Sequence, residues 1–576
     1  MNSQIFHPFV LPFVLGMAFV LTYCVVGLFR VIGQLPKDDR RQFGRSLVTP
    51  KTAWANLRDL FGDCLFHVKI WKRNPVLGYM HTAIAFGWFM IIVIGHVMLF
   101  TLKPLEGVDV QGVERMFPNF YYPIFFKYFA EETPIFAFLM DFFLLMIISG
   151  ILIAVVKKVH SKIVGVKRIM HFGFADNMIR FALWTIFPFR LIAEKSNIMA
   201  FWWLYSIDLM VFMFMLPFTR YMHIPTEALF ILLRHAGLKP REPRKGYALA
   251  QIYSCPSCGL CIDACPMSVN DKNSGNTSAY FMKRLRNGDR EEAQRIAETC
   301  MQCGKCVAVC PVSIESCDIK MRQREAVPYQ IKSDHAYLDE YEPIMGESKA
   351  SVLYFAGCMT QLTPKIMRAM RQIMEAAGER YEFLDKDGGV CCGRPMLLSG
   401  KTAEAHAMMA KNTELIKKSG AKRLVLSCPI CYKVFKEEYH LEGIEILHHT
   451  QYINELVQKG KLKVNKGNVN YVYHDPCELG RAFGVYDEPR EVIENIGNLR
   501  KAKSEKELSI CCGGSLGSFN LTQQERDEIT ANSVNYLMVN HPDEIVTACP
   551  LCLKTFARKA PVAVKDIAEV VASQLR

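Results

Sequence analysis

The sequence predicts a multidomain chain, in which an α-helical bundle of five membrane spans precedes a small α-helical domain and a duplicated α/β half. Three observations carry this. Apolar runs of spanning length are confined to residues before Thr226, C-x-x-C clusters follow, and one arrangement of five cysteines then occurs twice. The boundaries these imply are 1–225, 226–345, 346–465 and 466–576.

At 576 residues there is room for several domains. The 21 cysteines do not read as a disulfide scaffold, because disulfide-dense chains are small and secreted whereas these fall in C-x-x-C clusters. They read as metal ligands. The net charge of +13 does not call for nucleic acid, since much of the basic excess lies in loops between apolar segments.

Residues 7–32 are nearly all apolar, with no Lys or Arg before Arg30. A signal peptide would have a basic start and a shorter apolar core, so this run reads as a spanning helix. Residues 77–102, 134–156 and 199–217 are three more spans, and the shorter stretch 177–192, with Arg180 and Arg190, is another. The loop after the first span is rich in Lys and Arg, from Lys37 to Arg73. The loop after the third holds Lys157, Lys158, Lys162, Lys167 and Arg168, and the loop between them, 103–132, is mixed and slightly acidic. By the positive-inside bias the protein is a multi-pass cytoplasmic (inner) membrane protein with its N-terminus outside and its cysteines in the cytoplasm.

Histidines within or beside spans point to function. His81, in the second span, and His223, just past the fifth, lie at matching depth near the inner face. Two histidines on separate helices suit both axial positions of a b-type haem. His160 and His235 read as interfacial residues. His96 lies roughly 22 Å beyond His81 along the helix. Only His7 lies at that level to partner it.

After a short amphipathic stretch (225–234) and a basic linker come two runs of the form C-x-x-C-x-x-C-x-x-x-C-P. They comprise Cys255, Cys258, Cys261 and Cys265, then Cys300, Cys303, Cys306 and Cys310. This pattern specifies bacterial-type [4Fe–4S] cubanes in which the fourth cysteine of each run ligates the other cluster. Cluster one is then Cys255, Cys258, Cys261 and Cys310, and cluster two is Cys300, Cys303, Cys306 and Cys265. Zinc, the usual alternative for C-x-x-C, does not need two such runs closed by proline. Cys317, just beyond, reads as structural. The insert between the runs, SAYFMKRLRNGDREEAQRIAETC, has helical periodicity. Lys283, Arg284, Arg286 and Lys305 near the relay offer basic contacts for an acidic partner, or simply exposed charge.

The first fivefold set is Cys358, Cys391, Cys392, Cys428 and Cys431, and the second is Cys477, Cys511, Cys512, Cys549 and Cys552. The gaps are 32 and 35 residues in the first copy and 33 and 36 in the second. Each copy opens on an apolar strand that delivers the single cysteine, continues through helices, and ends on a second strand before the C-x-x-C. That alternation predicts α/β domains with cysteines at strand C-termini. Five thiols exceed what one regular cubane takes. Either one is spare, or the cluster is not a regular cubane; a vicinal disulfide or a zinc site are the other readings.

The doubled spacing C-x(32)-CCG-x(35)-C-x-x-C resembles the CCG (cysteine-rich) domains of the heterodisulfide reductase catalytic subunit. The resemblance implies one or two non-cubane [4Fe–4S] clusters, held by the five cysteines of each repeat, and makes these ten cysteines the catalytic set. The cubane runs match the same family's cluster subunit, and the membrane segment is similar to the gamma subunit of respiratory nitrate reductase, a five-helix cytochrome b. In this order the whole chain resembles membrane-bound electron-transfer-flavoprotein:menaquinone oxidoreductases and their heterodisulfide-reductase-like relatives. His81 and His223 match the inner haem ligands of that cytochrome. Its outer ligands would fall at Ile91 and Tyr205, which implies a single haem b.

The expected function is therefore a quinone-linked oxidoreductase. Electrons from a reduced soluble protein, such as an electron-transfer flavoprotein, would pass through the CCG clusters, two cubanes and haem b to menaquinone. The alternatives are quinol-dependent reduction of a heterodisulfide or a protein di- or trisulfide, and an electron-conducting subunit of a larger respiratory complex. No dinucleotide fingerprint is evident, so a flavin would sit on another chain.

Overall fold

Apolar runs with few internal charges can satisfy their backbone only as helices, and these do. The computed structural model describes residues 8–101, 124–125, 134–159, 173–196, 198–329, 350–386 and 390–576. His7, Leu102, His160, Lys162, Lys167, Arg168 and most of the 103–132 loop lie outside the described residues. The chain divides into two units, Met1–Gly259 and Leu260–Arg576.

The first unit is helical. Its long helices are α1 (Leu11–Gly33), α2 (Pro75–Thr101), α3 (Pro134–Val159), α4 (Phe174–Ser196) and α5 (Met199–Met215). Four segments, Pro8–Gly33, Pro75–Val97, Pro134–Val159 and Met199–Phe218, are long and apolar enough to cross a membrane. Helix α2 packs on α3, α3 on α4, α4 on α5, and α5 on α1. Small residues let α2 and α3 approach closely. A Cβ on Gly87 would lie 2.6 Å from Ile147, and one on Gly150 3.0 Å from Ile84. Helix α4 is less apolar, but its Arg190 is buried and ion-paired with Glu194 at 2.8 Å, one turn on. Arg190 Nη1 also reaches the Tyr205 hydroxyl at 3.4 Å. Shorter helices, Lys37–Val48 and Pro50–Asp59, and a π-helical turn, Leu60–Leu65, lie between α1 and α2 and pack against α6 (His223–His235).

The second unit begins with the cysteine relay. The insert between its runs is helical as its period predicts, and folds as two helices, α7 (Ser278–Asn287) and α8 (Arg290–Thr299). Gly288 takes the left-handed φ of +80° that ends α7, and the Asp289 side chain caps α8 by accepting from Glu292 N–H. Helix α9 (Ser316–Ala326) follows the second run.

Next come two α/β domains of the same topology. The first contains β1 (Val352–Phe355), α10 (Pro364–Ala376), β2 (Tyr381–Phe383), α11 (Thr402–Lys418), β3 (Arg423–Leu426), α12 (Pro429–Glu437), β4 (Glu445–His448) and α13 (His449–Gln458). The second contains β5 (Asn470–His474), α14 (Asp487–Ile496), β6 (Asn498–Arg500), α15 (Gln523–Leu537), β7 (Glu544–Thr547), α16 (Pro550–Phe556), β8 (Ala563–Asp566) and α17 (Ile567–Ala572). Both sheets are parallel, ordered β2-β1-β3-β4 and β6-β5-β7-β8. The central strands β1 and β3 are almost wholly buried, as unbroken apolar runs in parallel sheets are. The copies pack pseudo-symmetrically: α10 lies on α17, and its counterpart α14 lies on α13, the counterpart of α17.

Arg324 of α9 ties the relay to both copies. It is 0 % exposed and donates to the carbonyls of Ala297 at 3.0 Å, Cys300 at 2.9 Å, Leu398 at 2.9 Å and Gly517 at 2.7 Å. Charged donors leave several buried carbonyls orphaned when removed, so Arg324→Met is expected to destabilise this unit by about 3–5 kcal/mol. Urea unfolding followed through iron–sulfur absorbance measures the loss.

Candidate iron–sulfur and haem sites

Parallel α/β sheets place loops at strand C-termini, and the duplicated cysteines lie there. Cys358 and Cys477 follow β1 and β5, and Cys428 and Cys549 follow β3 and β7. Each C-x-x-C then turns into a helix whose first residue is proline, α12 or α16. The adjacent pairs, Cys391-Cys392 and Cys511-Cys512, sit in loops after the edge strands β2 and β6.

In the first copy, Cys358 faces Cys391, and Cys392 and Cys431 are in side-chain contact. Gly357, at φ +85°, leaves room for them: a Cβ there would stand 2.8 Å from Cys431 Sγ. Asp385 accepts from the N–H groups of Ala356 at 2.8 Å and Gly357 at 2.7 Å, fixing this turn. Burial pushes its carboxyl up to about 6, against those two hydrogen bonds. Gly357→Ala is expected to cost about 1–3 kcal/mol in backbone strain alone. It should also lower bound iron by the content of one cluster, read by iron assay and EPR.

In the second copy, Cys512 Sγ is 3.3 Å from Cys552 Sγ, and Cys511 contacts Cys477 and Cys512. Cys549 lies within electrostatic reach of Cys428, so the two copies bring their thiols towards one another. A small cleft of about 40 Å³ lies between them. It is lined by all five cysteines of the second copy and by Pro429 and Ile430 of the first. Glu478, on its wall, is ion-paired with buried Arg394 at 2.7 Å.

The relay adjoins the second copy. Cys511 exchanges side-chain contact with Cys303 of the second cubane run, and Met267, Met301, Leu521 and Ile529 pack around them. Arg481 donates to the Cys303 carbonyl at 2.7 Å and to the Ser509 carbonyl at 2.7 Å. Lys305, expected at a docking surface, is 7 % exposed. Its ammonium donates to the Leu508 carbonyl and, at 3.3 Å, to that of Ser509, so it is spent inside the protein. Arg284 is held in turn by Asp289 at 3.0 Å.

Cys265, Cys303 and Cys306 come within electrostatic reach of one another, and Cys300 joins them through Cys317. Cys317, read from the sequence as structural, has its thiol 4.0 Å from that of Cys306. A hydrogen bond from Cys317 pulls Cys306 down to about 5 and Cys300 well below its ordinary value, with help from Lys320 and against burial. Burial pushes the Cys265 thiol the other way, so it is the convergence of these thiols, in the cubane spacing, that fits a cluster. Cys255 and Cys258 end the first unit, and Cys261 and Cys310 belong to the second.

In the first unit, His223 Nδ1 lies 2.8 Å from the Arg220 carbonyl. That bond fixes the ring and makes Nε2 the nitrogen a metal would take, the usual arrangement of an axial histidine. His223 and His67 both lie within electrostatic reach of His81. The His67 and His81 rings stack at 5.2 Å. His67 sits in left-handed backbone, φ +50°, just past the π-helical turn. No spacing in the sequence marked it. His96 Nδ1 lies 2.7 Å from the Ile92 carbonyl of its own helix.

A cysteine-rich (CCG) domain family matches residues 352–436 and 471–557, and a 4Fe-4S dicluster domain family matches 251–314. Together they cover all eighteen cysteines of the four motifs. The chain thus carries two CCG cysteine-rich domains and a 4Fe-4S dicluster domain. Among its relatives is an EtfAB:quinone oxidoreductase of Syntrophomonas wolfei subsp. wolfei, 32% identical over 240 residues, or 38% of this chain and 34% of that one. One subunit of the dihydromethanophenazine:CoB–CoM heterodisulfide reductase of Methanosarcina barkeri is 29% identical over 246 residues, or 40% and 60%. A protein of Chromohalobacter salexigens described as a membrane-anchored ferredoxin is 27% identical over 381 residues, or 59% and 51%. The chain thus spans between 34% and 60% of the length of these relatives.

Proposed function

We propose that this protein is a quinone-linked oxidoreductase that accepts electrons from a reduced soluble protein, such as an electron-transfer flavoprotein, and delivers them to menaquinone. The observation that carries this reading is the contact of Cys511 with Cys303, which makes the second CCG site continuous with the relay. Electrons arriving at the CCG cysteines pass to the set Cys265, Cys300, Cys303 and Cys306, then to the set Cys255, Cys258, Cys261 and Cys310, then to a haem b held by His81 and His223. The clusters and haem supply one-electron steps when bound; the chain holds them in order and excludes water around Cys511. Two electrons and two protons from water convert menaquinone to menaquinol, and the soluble donor is oxidised by two electrons.

In this reading α4 is a fifth span, its internal Arg190 neutralised by Glu194. The N-terminus lies outside, and the cysteine-rich half lies in the cytoplasm. The names of the relatives favour either this activity or heterodisulfide reduction, and for the second reading the cysteines of the second copy line the small cleft between the CCG copies. Purified protein mixed with reduced flavoprotein and a menaquinone analogue decides between them. Rapid reduction of a b-type haem followed by quinol formation supports the first. Quinol-driven formation of thiols from a disulfide, with no response to the flavoprotein, supports the second. A tightly copurifying flavin or molybdenum subunit would make the chain a conducting subunit of a larger complex.

A further inference from the structure

Helix α9 presents Ser316, Lys320 and Arg324 at four-residue spacing, with Cys317 beside the first, so one face meets the second cubane run. Lys320 is 2 % exposed, and its Nζ lies 3.4 Å from Cys300 Sγ and 2.9 Å from Ser278 Oγ. Ser316 Oγ is 3.2 Å from Cys306 Sγ, and the Cys317 thiol is 4.0 Å from it. Among the described residues neither Lys320 nor Arg324 makes an ion pair with a carboxylate. Burying an ammonium without a counter-charge is costly. The surrounding thiols are what can balance it.

We propose that Lys320 and Cys317 raise the reduction potential of the second cubane, the cluster that adjoins Cys511. This rests on the dicluster reading and holds for either direction of electron flow. A cluster gains one negative charge on reduction, so a fixed cation in a low-dielectric surround stabilises the reduced form more than the oxidised one. Hydrogen bonds donated to its cysteine sulfurs act in the same direction. The α9 residues have no counterpart in the register of the first run, whose Cys258 is instead within electrostatic reach of Lys157. Seven and ten residues past Cys265, where the second run has Cys317 and Lys320, stand Lys272 and Gly275, in a 3-10 segment in which Lys272 is exposed. Lys320 and Cys317 act on ligands rather than on substrate, so they are positioning residues.

The test is EPR-monitored redox titration of the purified full chain carrying K320M, K320R or C317S. In K320M one cubane signal should move to lower potential while the other cubane and the haem stay in place. K320R, which keeps the charge, should hold the wild-type potential, and C317S should shift the same signal less far. Loss of one cubane from K320M but not from K320R supports the same role for the charge. The inference is overturned if both cubanes are loaded and neither potential moves, if both move together, or if K320R fails as K320M does. Failure of the underlying reading looks different: wild-type protein would then lack two cubane signals.

Discussion

Cys511→Ala is expected to slow electron transfer between the CCG site and the relay by about 100-fold or more, the scale of loss when a ligand and its surrounding contacts go together. Cys511 is 3 % exposed and is the residue at which two motifs, 208 positions apart, touch: its thiol faces Cys477 and Cys512 on one side and Cys303 on the other. Its removal takes a ligand from the second CCG set and opens the apolar packing of Met267, Met301, Leu521 and Ile529 that keeps water out. Cys391→Ala, its counterpart in the first copy, should lose turnover at its own site but leave the contact between relay and second copy intact. Stopped-flow reduction of the haem by a soluble donor, with iron assay of each variant, separates the two.

His223→Ala should abolish b-type absorbance and quinone reduction while leaving all iron–sulfur signals in place. The hydrogen bond between His223 Nδ1 and the Arg220 carbonyl fixes the ring that the variant removes. His67 does not replace it, because it lies stacked on His81 with ring centroids 5.2 Å apart, and stacked rings turn their faces rather than their nitrogens to one another. His81→Ala should give the same spectrum. Reduced-minus-oxidised optical spectra of the two variants, beside EPR of their clusters, check both outcomes.

Much of this was legible in the sequence, because cluster ligation is written as local spacing. The eighteen motif cysteines, the apolar helices and the strands β1, β3, β5 and β7 all follow from patterns within a few residues. The strands β2, β4, β6 and β8 flank these as short segments of three or four residues, with too little apolar alternation to stand out. The helical period of the insert is legible in the sequence, and the positive φ of Gly288 divides it into α7 and α8. Cys317 and Lys320 lie outside every C-x-x-C pattern. They reach the second cubane set through the four-residue spacing of α9, which a search for ligand motifs does not see. Lys305 looked exposed beside a charged segment, and only the fold shows that its ammonium is taken up by two carbonyls of the second copy. The contact of Cys511 with Cys303 is equally invisible in one dimension, since it joins two motifs through packing rather than through sequence.

The most direct measurement is pulsed EPR on fully reduced protein, looking for spin coupling between the second cubane and the second CCG centre. A split cubane signal is expected that loses its splitting in Cys511→Ala and keeps it in Cys391→Ala. An unsplit cubane signal in wild-type protein with all clusters loaded, or a splitting that survives Cys511→Ala, would contradict it.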